Sequence, residues 1–371
     1  MRVLVDATAL PPDRGGVGRY VDQVVGDFSA LGVDPVIACQ DRDAAHFAAV
    51  PGATVVPAGR FAQARPLRLA WEQSALPLLI RRTGCEVLFS PHYTTALPTT
   101  VARVVTLHDA TFFSDPDVHH RGKRQFFQAW TRTSLRIAQV AVVPSVATRD
   151  ELVARAGADP SRLIVAPHGV DHCRFRPPSE AAVAELSSRL GVQPHRYVAF
   201  LGTLEPRKNV PALIRGWTAA MAGRTDPPAL VLAGGAGWDD AVEAAVASVP
   251  APLRVIRTGY LDAADLPALL GGAAVVAYPS LGEGFGLPVL EAMACGAAVL
   301  TTRRLALPEV GGDAVAYTEP DEQAIAAALA ALLEDAPRRA ALATAARQRA
   351  ATFTWRHSAE AHVRAFEQAL R

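Results

Sequence analysis

The sequence predicts an α/β protein with two doubly wound parallel sheets, and three observations lead there. Short apolar runs of strand length alternate with longer amphipathic segments along the chain, the pattern of βα units. At 371 residues the chain is too long for one ordinary core, and it suits two domains of about 150 to 200 residues each. Near the middle, Phe175-Arg176-Pro177-Pro178 is stiff and extended, a strap between two independent βα runs.

The strands follow in order. The first run offers Arg2 to Asp6, Pro35 to Cys39, Thr54 to Val56, Val87 to Ser90, Arg103 to His108, Val140 to Pro144 and Leu163 to Ala166. The second offers Tyr197 to Gly202, Ala229 to Ala233, Leu253 to Thr258, Ala273 to Tyr278, Ala298 to Thr301 and Ala314 to Tyr317. Their β-branched, apolar character is that of strands buried on both faces. The alanine-rich segment Glu322 to Leu333 reads as a helix packed on the second sheet.

Composition narrows the function. The formal charge is +1, and the first 175 residues hold 19 basic and 16 acidic side chains against 18 and 20 in the remainder, so neither half suits nucleic acid. Cys39, Cys85, Cys173 and Cys295 lack metal-finger spacing and read as free thiols of a reducing compartment. Met1 to Asp6 enters a strand at once, and no uncharged apolar run has the length of a spanning helix. A cytoplasmic protein is expected, with peripheral contact at the inner membrane face left open.

The richest segment is Pro279 to Gly296, PSLGEGFGLPVLEAMACG, which follows the apolar strand ending at Tyr278. Gly282, Gly284 and Gly286 allow close backbone approach, and Pro288 suits a first helical turn. The amides near Phe285 to Val289 then form the positive start of a short helix, a place for a diphosphate. Glu283 and Glu291 cannot bind phosphate and should accept hydrogen bonds from neutral donors such as sugar hydroxyls and a ribose diol. An ordinary βα turn is the plainer alternative.

In the first half, Asp13-Arg14-Gly15-Gly16-Val17-Gly18-Arg19-Tyr20 opens an amphipathic helix. Gly15 and Gly16 can turn N–H groups toward an anion, or merely make a turn, and Arg14 and Arg19 fit solvent as well as a site. His108 ends an apolar strand where a side chain can enter a cleft, although a buried core histidine would read the same. Asp109 either supports His108 or caps the next helix. The segment Arg121 to Ile137 joins Arg121, Lys123, Arg124, Arg132 and Arg136 to Phe126, Phe127 and Trp130, which suits an anionic membrane surface or a core-packed helix with a basic edge. Gly234-Gly235-Ala236-Gly237 is a phosphate loop or a tight turn.

The stretch from Pro279 to Gly296 resembles the E-x7-E signature of the retaining glycosyltransferases of family 4, which use nucleotide sugars and share the GT-B fold, two Rossmann-like domains facing across a deep cleft. Phe200-Leu201-Gly202-Thr203-Leu204-Glu205-Pro206-Arg207-Lys208-Asn209-Val210 resembles the family's strand and basic loop, Val165 to Asp171 with Phe175 and Pro177 its interdomain segment, and Val105-Thr106-Leu107-His108-Asp109 its strand-end histidine motif. These cover nearly the whole chain.

The resemblance implies an acceptor-binding domain of residues 1–172, completed by a final helix at 354–371, and a nucleotide-sugar-binding domain of 173–353. It places Gly202, Thr203, Arg207, Lys208, Tyr260, Glu283, Gly284, Phe285, Gly286, Leu287 and Glu291 at the donor, with Gly15 and Gly16 closing over it and Arg19 and Asp109 toward the acceptor. His108, Glu283, Arg207 and Lys208 are the implied catalytic set. The acceptor hydroxyl attacks the anomeric carbon from the side the diphosphate leaves, and the diphosphate is the local base. Arg207, Lys208 and the helix amides stabilise its charge, Glu283 holds the sugar's C3 and C4 hydroxyls, and Glu291 holds the ribose. No cofactor or metal is expected if those cations suffice, and no Asp-x-Asp pair of the metal-dependent transferases is expected in a strand-end loop.

Residues 202–209 with His108-Asp109-Ala110 resemble mannosyltransferase-type members, so GDP-mannose is the first expected donor and UDP-glucose or another UDP or ADP hexose the second. The acceptor would be a glycan, a lipid-linked sugar or a small molecule. A nucleotide-sugar 2-epimerase of this fold would be expected to lack the paired glutamates. A non-catalytic sugar-nucleotide-binding subunit would have lost one of His108, Arg207, Lys208 and Glu283.

Overall fold

The computed structural model describes residues 1–12 and 14–371. Asp13, the first residue of the glycine motif, lies outside the described residues. The chain forms two compact units, Met1–Gly169 with Thr354–Arg371, and Val170–Phe353.

The first unit is built on β1 (Arg2–Asp6), β2 (Asp34–Cys39), β3 (Thr54–Pro57), β4 (Val87–Ser90), β5 (Ala102–Thr106), β6 (Val140–Val143) and β7 (Leu163–Val165). They make one sheet in the order β3-β2-β1-β4-β5-β6-β7, parallel throughout. Helices cover both faces, so the inner strands lie wholly out of solvent: Val3, Leu4 and Val5, Val87, Leu88 and Phe89, and Val140 to Val143 are all buried. That is why their sequences run apolar without alternation. The strand expected to reach His108 stops at Thr106. Leu107 still donates to the Val142 carbonyl at 2.9 Å, but the chain then leaves the sheet and carries His108 beyond the carboxyl end of β5.

The last helix, Trp355–Ala369, completes this unit. Thr354 caps it by accepting from the His357 amide at 3.2 Å. Its buried face sets the Phe366 ring 5.3 Å from Phe89 and 5.4 Å from Phe28.

The second unit holds β8 (Tyr197–Leu201), β9 (Ala229–Ala233), β10 (Val255–Gly259), β11 (Val275–Tyr278), β12 (Val299–Thr302) and β13 (Ala316–Thr318). These six are also all parallel, in the order β10-β9-β8-β11-β12-β13. In each sheet the order reverses once, between β1 and β4 and between β8 and β11. The carboxyl ends of such strand pairs are where open α/β sheets hold ligands.

Asp41-Arg42-Asp43, after β2, does have the Asp-x-Asp spacing, but its carboxylates serve the fold. Asp43 pairs with Arg14 at 3.0 Å, and Asp41 accepts from the Gly59 amide at 3.0 Å. Among the described residues no helix is long and apolar enough to cross a membrane.

Candidate active site

In the second unit, the loops after β8 and β11 are joined by main chain. The Arg207 carbonyl accepts from the Leu281 amide at 2.9 Å, and Ser280 Oγ lies 3.0 Å from it. Asn209, at φ +58°, turns the chain into the helix Val210–Met221, and its amide donates to the carbonyls of Pro279 at 3.2 Å and Pro320 at 2.7 Å. Arg207 and Lys208 therefore project from a braced turn.

Both cations converge on Glu283. Arg207 donates to one carboxylate oxygen, to the Gly282 carbonyl at 2.8 Å and to Glu205 at 2.6 Å. Lys208 Nζ donates to the other oxygen at 2.7 Å and to the Tyr278 hydroxyl, while Ser280 and Tyr278 donate to that same oxygen at 2.7 and 3.0 Å. Glu283 thus has the neutral donors expected of it and, in addition, the two cations that the sequence assigned to the diphosphate. Burial alone would raise its pKa, but Arg207, Lys208 and the hydroxyl of Ser280 hold it down at about 2. Burial and the neighbouring Arg207 push Lys208 downward, and burial beside Glu283 pushes the Tyr278 phenol well up, so Tyr278 keeps its proton and stays a donor.

The helix Leu287–Ala294 starts beside this network. Gly286 precedes it at φ +107°, a conformation that favours glycine, Pro288 stands in its first turn and no side chain caps it. Glu291 lies buried on this helix. Gly202 follows β8, and a Cβ on Gly234 would come within 2.2 Å of its carbonyl oxygen. Close approach of these two loops is thus what Gly234 is for. Tyr260, 69% exposed, lies with its hydroxyl against Gly235.

The first unit brings together residues far apart in sequence. Tyr20, on the helix Gly15–Gly26, places its hydroxyl 2.8 Å from Thr106 Oγ1 and 2.6 Å from His362 Nε2. Its ring stacks on His168 at 4.9 Å and meets His108 edge-on at 5.1 Å. Burial lowers the pKa of all three histidines, that of His362 to about 4, and His108 opposes protonation of both His168 and His362. Tyr20, His168 and His362 escape assignment from sequence because no local pattern joins them.

Gly15 and Gly16 form the first turn of their helix. Arg19 Nε reaches the Gly15 carbonyl at 3.3 Å, and Arg14 pairs with Asp22 at 2.8 Å. Asp109 accepts from Thr111 N at 3.2 Å and Oγ1 at 3.0 Å, a local turn brace.

The pattern described as Glycosyltransferase Family 4 matches residues 14–174, and that described as Glycosyl transferases group 1 matches residues 186–349. The O-antigen chain mannosyltransferase B of Escherichia coli is 31% identical over 267 residues, 71% of this chain and 70% of that one. A D-inositol 3-phosphate glycosyltransferase of Salinispora arenicola is 38% identical over 225 residues, covering 55% of this chain and 49% of its own. The crystal structure of Anabaena HepE in complex with UDP and glucose shares the fold, with a TM-score of 0.75 at 19% identity over 98% of each chain. Two parallel-sheet α/β units with these likenesses define a glycosyltransferase of GT-B fold. The chain belongs to glycosyltransferase family 4.

Proposed function

We propose that this glycosyltransferase takes a hexose from a nucleoside diphosphate sugar held on the second unit and passes it, with retention of configuration, to a hydroxyl of an acceptor held on the first. The observation that carries the reading is the convergence of Arg207, Lys208 and Glu283 at the β8/β11 reversal, beside a helix start without a side-chain cap. A diphosphate would compete with Glu205 and Glu283 for the two cations and draw on the helix dipole. Glu283, partly released, would accept hydroxyls of the sugar. The acceptor oxygen then bonds to the anomeric carbon as the bond to the diphosphate breaks, and the departing diphosphate takes the hydroxyl proton. Arg207 and Lys208 stabilise the charge that grows on it. His108 orients the reacting sugar, Glu291 holds the ribose, and Tyr260 lies against the base.

GDP-mannose is the first donor to try, supported by the likeness to a mannosyltransferase. For the acceptor, the exposed face of the helix Arg121–Ile137 carries Arg121, Lys123, Phe126 and Arg132, which suits an anionic membrane holding a lipid-linked sugar.

Thermal shift with GDP-mannose, UDP-glucose, UDP-N-acetylglucosamine, ADP-glucose and free nucleotides, with and without magnesium, tests the donor, since a ligand of the native state raises apparent stability. A selective shift identifies it. No shift with any sugar nucleotide would remove the donor reading of Glu283 and Arg207. Co-sedimentation with phosphatidylglycerol vesicles, absent with phosphatidylcholine, is expected of the basic helix.

A further inference from the structure

At the β1/β4 reversal of the first sheet, Asp6 ends β1 and Pro91-His92 leaves β4. Asp6 is wholly buried, and its Oδ1 accepts from Thr8 N at 3.1 Å and Thr8 Oγ1 at 2.6 Å. Its Oδ2 faces His92 Nε2 at 3.3 Å and Arg68 Nη1 at 3.9 Å. On its other side, His92 Nδ1 lies 3.1 Å from Thr94 Oγ1, which donates to Glu72 at 2.7 Å. His92 thus stands between two fixed neighbours, Thr94 at hydrogen-bond distance on Nδ1 and the Asp6 carboxylate at 3.3 Å from Nε2, close but outside hydrogen-bond geometry. The residue before it, Pro91, directs its carbonyl at His108 Nε2, 2.9 Å away. A carbonyl only accepts, so His108 carries its proton on Nε2 and presents the Nδ1 lone pair.

We propose that His92, clamped between Asp6 and Thr94, is a positioning residue that fixes the Pro91 carbonyl and thereby sets His108 as a hydrogen-bond acceptor at Nδ1 toward a sugar hydroxyl. This rests on the assignment of His108 to the reaction centre. The proline ring fixes one backbone torsion next to the carbonyl, and the clamped imidazole restrains the other side of the same peptide. The surroundings also keep His108 neutral: burial dominates, His92 opposes its protonation, and Asp109 and the Pro91 carbonyl act the other way. Tyr20, Tyr93 and His168 complete its ring contacts.

Asp6, Glu72 and His92 also offer ligand atoms within 4.8 Å of one another, as a metal site would. Arg68 stands against that use. Its guanidinium already pairs with Glu72 at 2.6 Å, so a divalent ion would sit beside a fixed positive charge.

The test uses the full chain with the donor found by thermal shift. His92→Phe should lower kcat by about tenfold to a hundredfold, the usual cost of losing a group that orients a reacting one, with donor KM nearly unchanged. Nitrogen-15 spectra should show His108 leaving the Nε2–H tautomer, and His92→Gln, which keeps an amide donor toward Asp6, should recover part of the rate. Asp6→Asn, an isosteric change, should lower kcat in the same way and serves if His92→Phe does not fold. Wild-type turnover and an unchanged His108 spectrum in these variants, beside an inactive His108→Ala, would overturn the proposal. A fully active His108→Ala would instead overturn the reaction-centre reading, and this proposal with it.

Discussion

Two polar clusters, one at the β8/β11 reversal of the second sheet and one beyond β5 in the first, handle charge in opposite ways. At the end of β11 and β8, Glu283 and Glu205 are matched by Arg207 and Lys208, four buried or nearly buried charges that cancel. At the end of β5, the cluster around Tyr20 is three neutral histidines and hydroxyls, each deprived of charge by burial. The difference fits the chemistry proposed for each. A site that receives a diphosphate needs fixed charge whose reorganisation is already complete, whereas one that orients hydroxyls needs lone pairs and neutral donors.

The sharpest way to break this contrast is Glu283→Gln, which keeps the shape but leaves Arg207 and Lys208 short of a counter-charge. Turnover should fall by about two orders of magnitude or more, the scale of losing a preorganised electrostatic group. The melting temperature should fall as well, because breaking a buried pair costs about 3 to 5 kcal/mol. Wild-type turnover in a folded Glu283→Gln protein would show that the network is only structural.

Acid should separate the two units next. His362 titrates at about 4 when folded against an ordinary 6.5, so the unfolded chain binds the extra proton and stability drains away as pH falls from 6.5 to about 4. Glu283 is held at about 2 against 4.5, so its contribution is intact above 4.5 and is lost between there and about 2. Hydrogen exchange at pH 5 should therefore quicken in the helices Gly15–Gly26 and Trp355–Ala369 before it does around residues 278–294. Equal quickening in both would refute the division.

A smaller effect is expected of Tyr20→Phe, which strands Thr106 and His362 at a cost of about 1 to 3 kcal/mol, read by chemical denaturation. Tyr260→Ala should have the smallest effect, raising donor KM severalfold with kcat retained, since stacking on a base is worth about 1 to 3 kcal/mol. An unchanged KM would move the base elsewhere.

The fold was legible because parallel strands buried on both faces announce themselves as apolar runs, and every strand expected from those runs is present. Ends were less so: His108 lies beyond β5, since hydrogen bonding to β6, not hydropathy, decides where that strand stops. Arg207, Lys208, Glu283 and Glu291 could be singled out because they lie in two contiguous segments, 202–208 and 279–296. Their pairing could not, since nothing local shows that Arg207 and Lys208 turn onto Glu283. The first unit's cluster was opaque for a plainer reason. Tyr20 and His362 are separated by nearly the whole chain, and Asp6, Glu72 and His92 come from a strand, a helix and a loop. Only Arg68 and Glu72, four residues apart on the helix Arg65–Thr83, left a readable spacing.

The return of the last helix to the first unit bears on how the protein is made. During synthesis, residues 1–169 emerge with Tyr20, Phe28 and Phe89 lacking the surface that Phe366 and His362 later cover. That half must wait, incompletely closed, until the insert 170–353 and the helix beyond it have been made, so its final burial comes late whatever the speed of its sheet. The wait can be cut short. Gly169 and Trp355 meet so closely that a Cβ on the glycine would lie 2.2 Å from the Trp355 nitrogen, and a gene splicing residue 169 to 354 through a short linker should deliver the first unit as a self-sufficient protein.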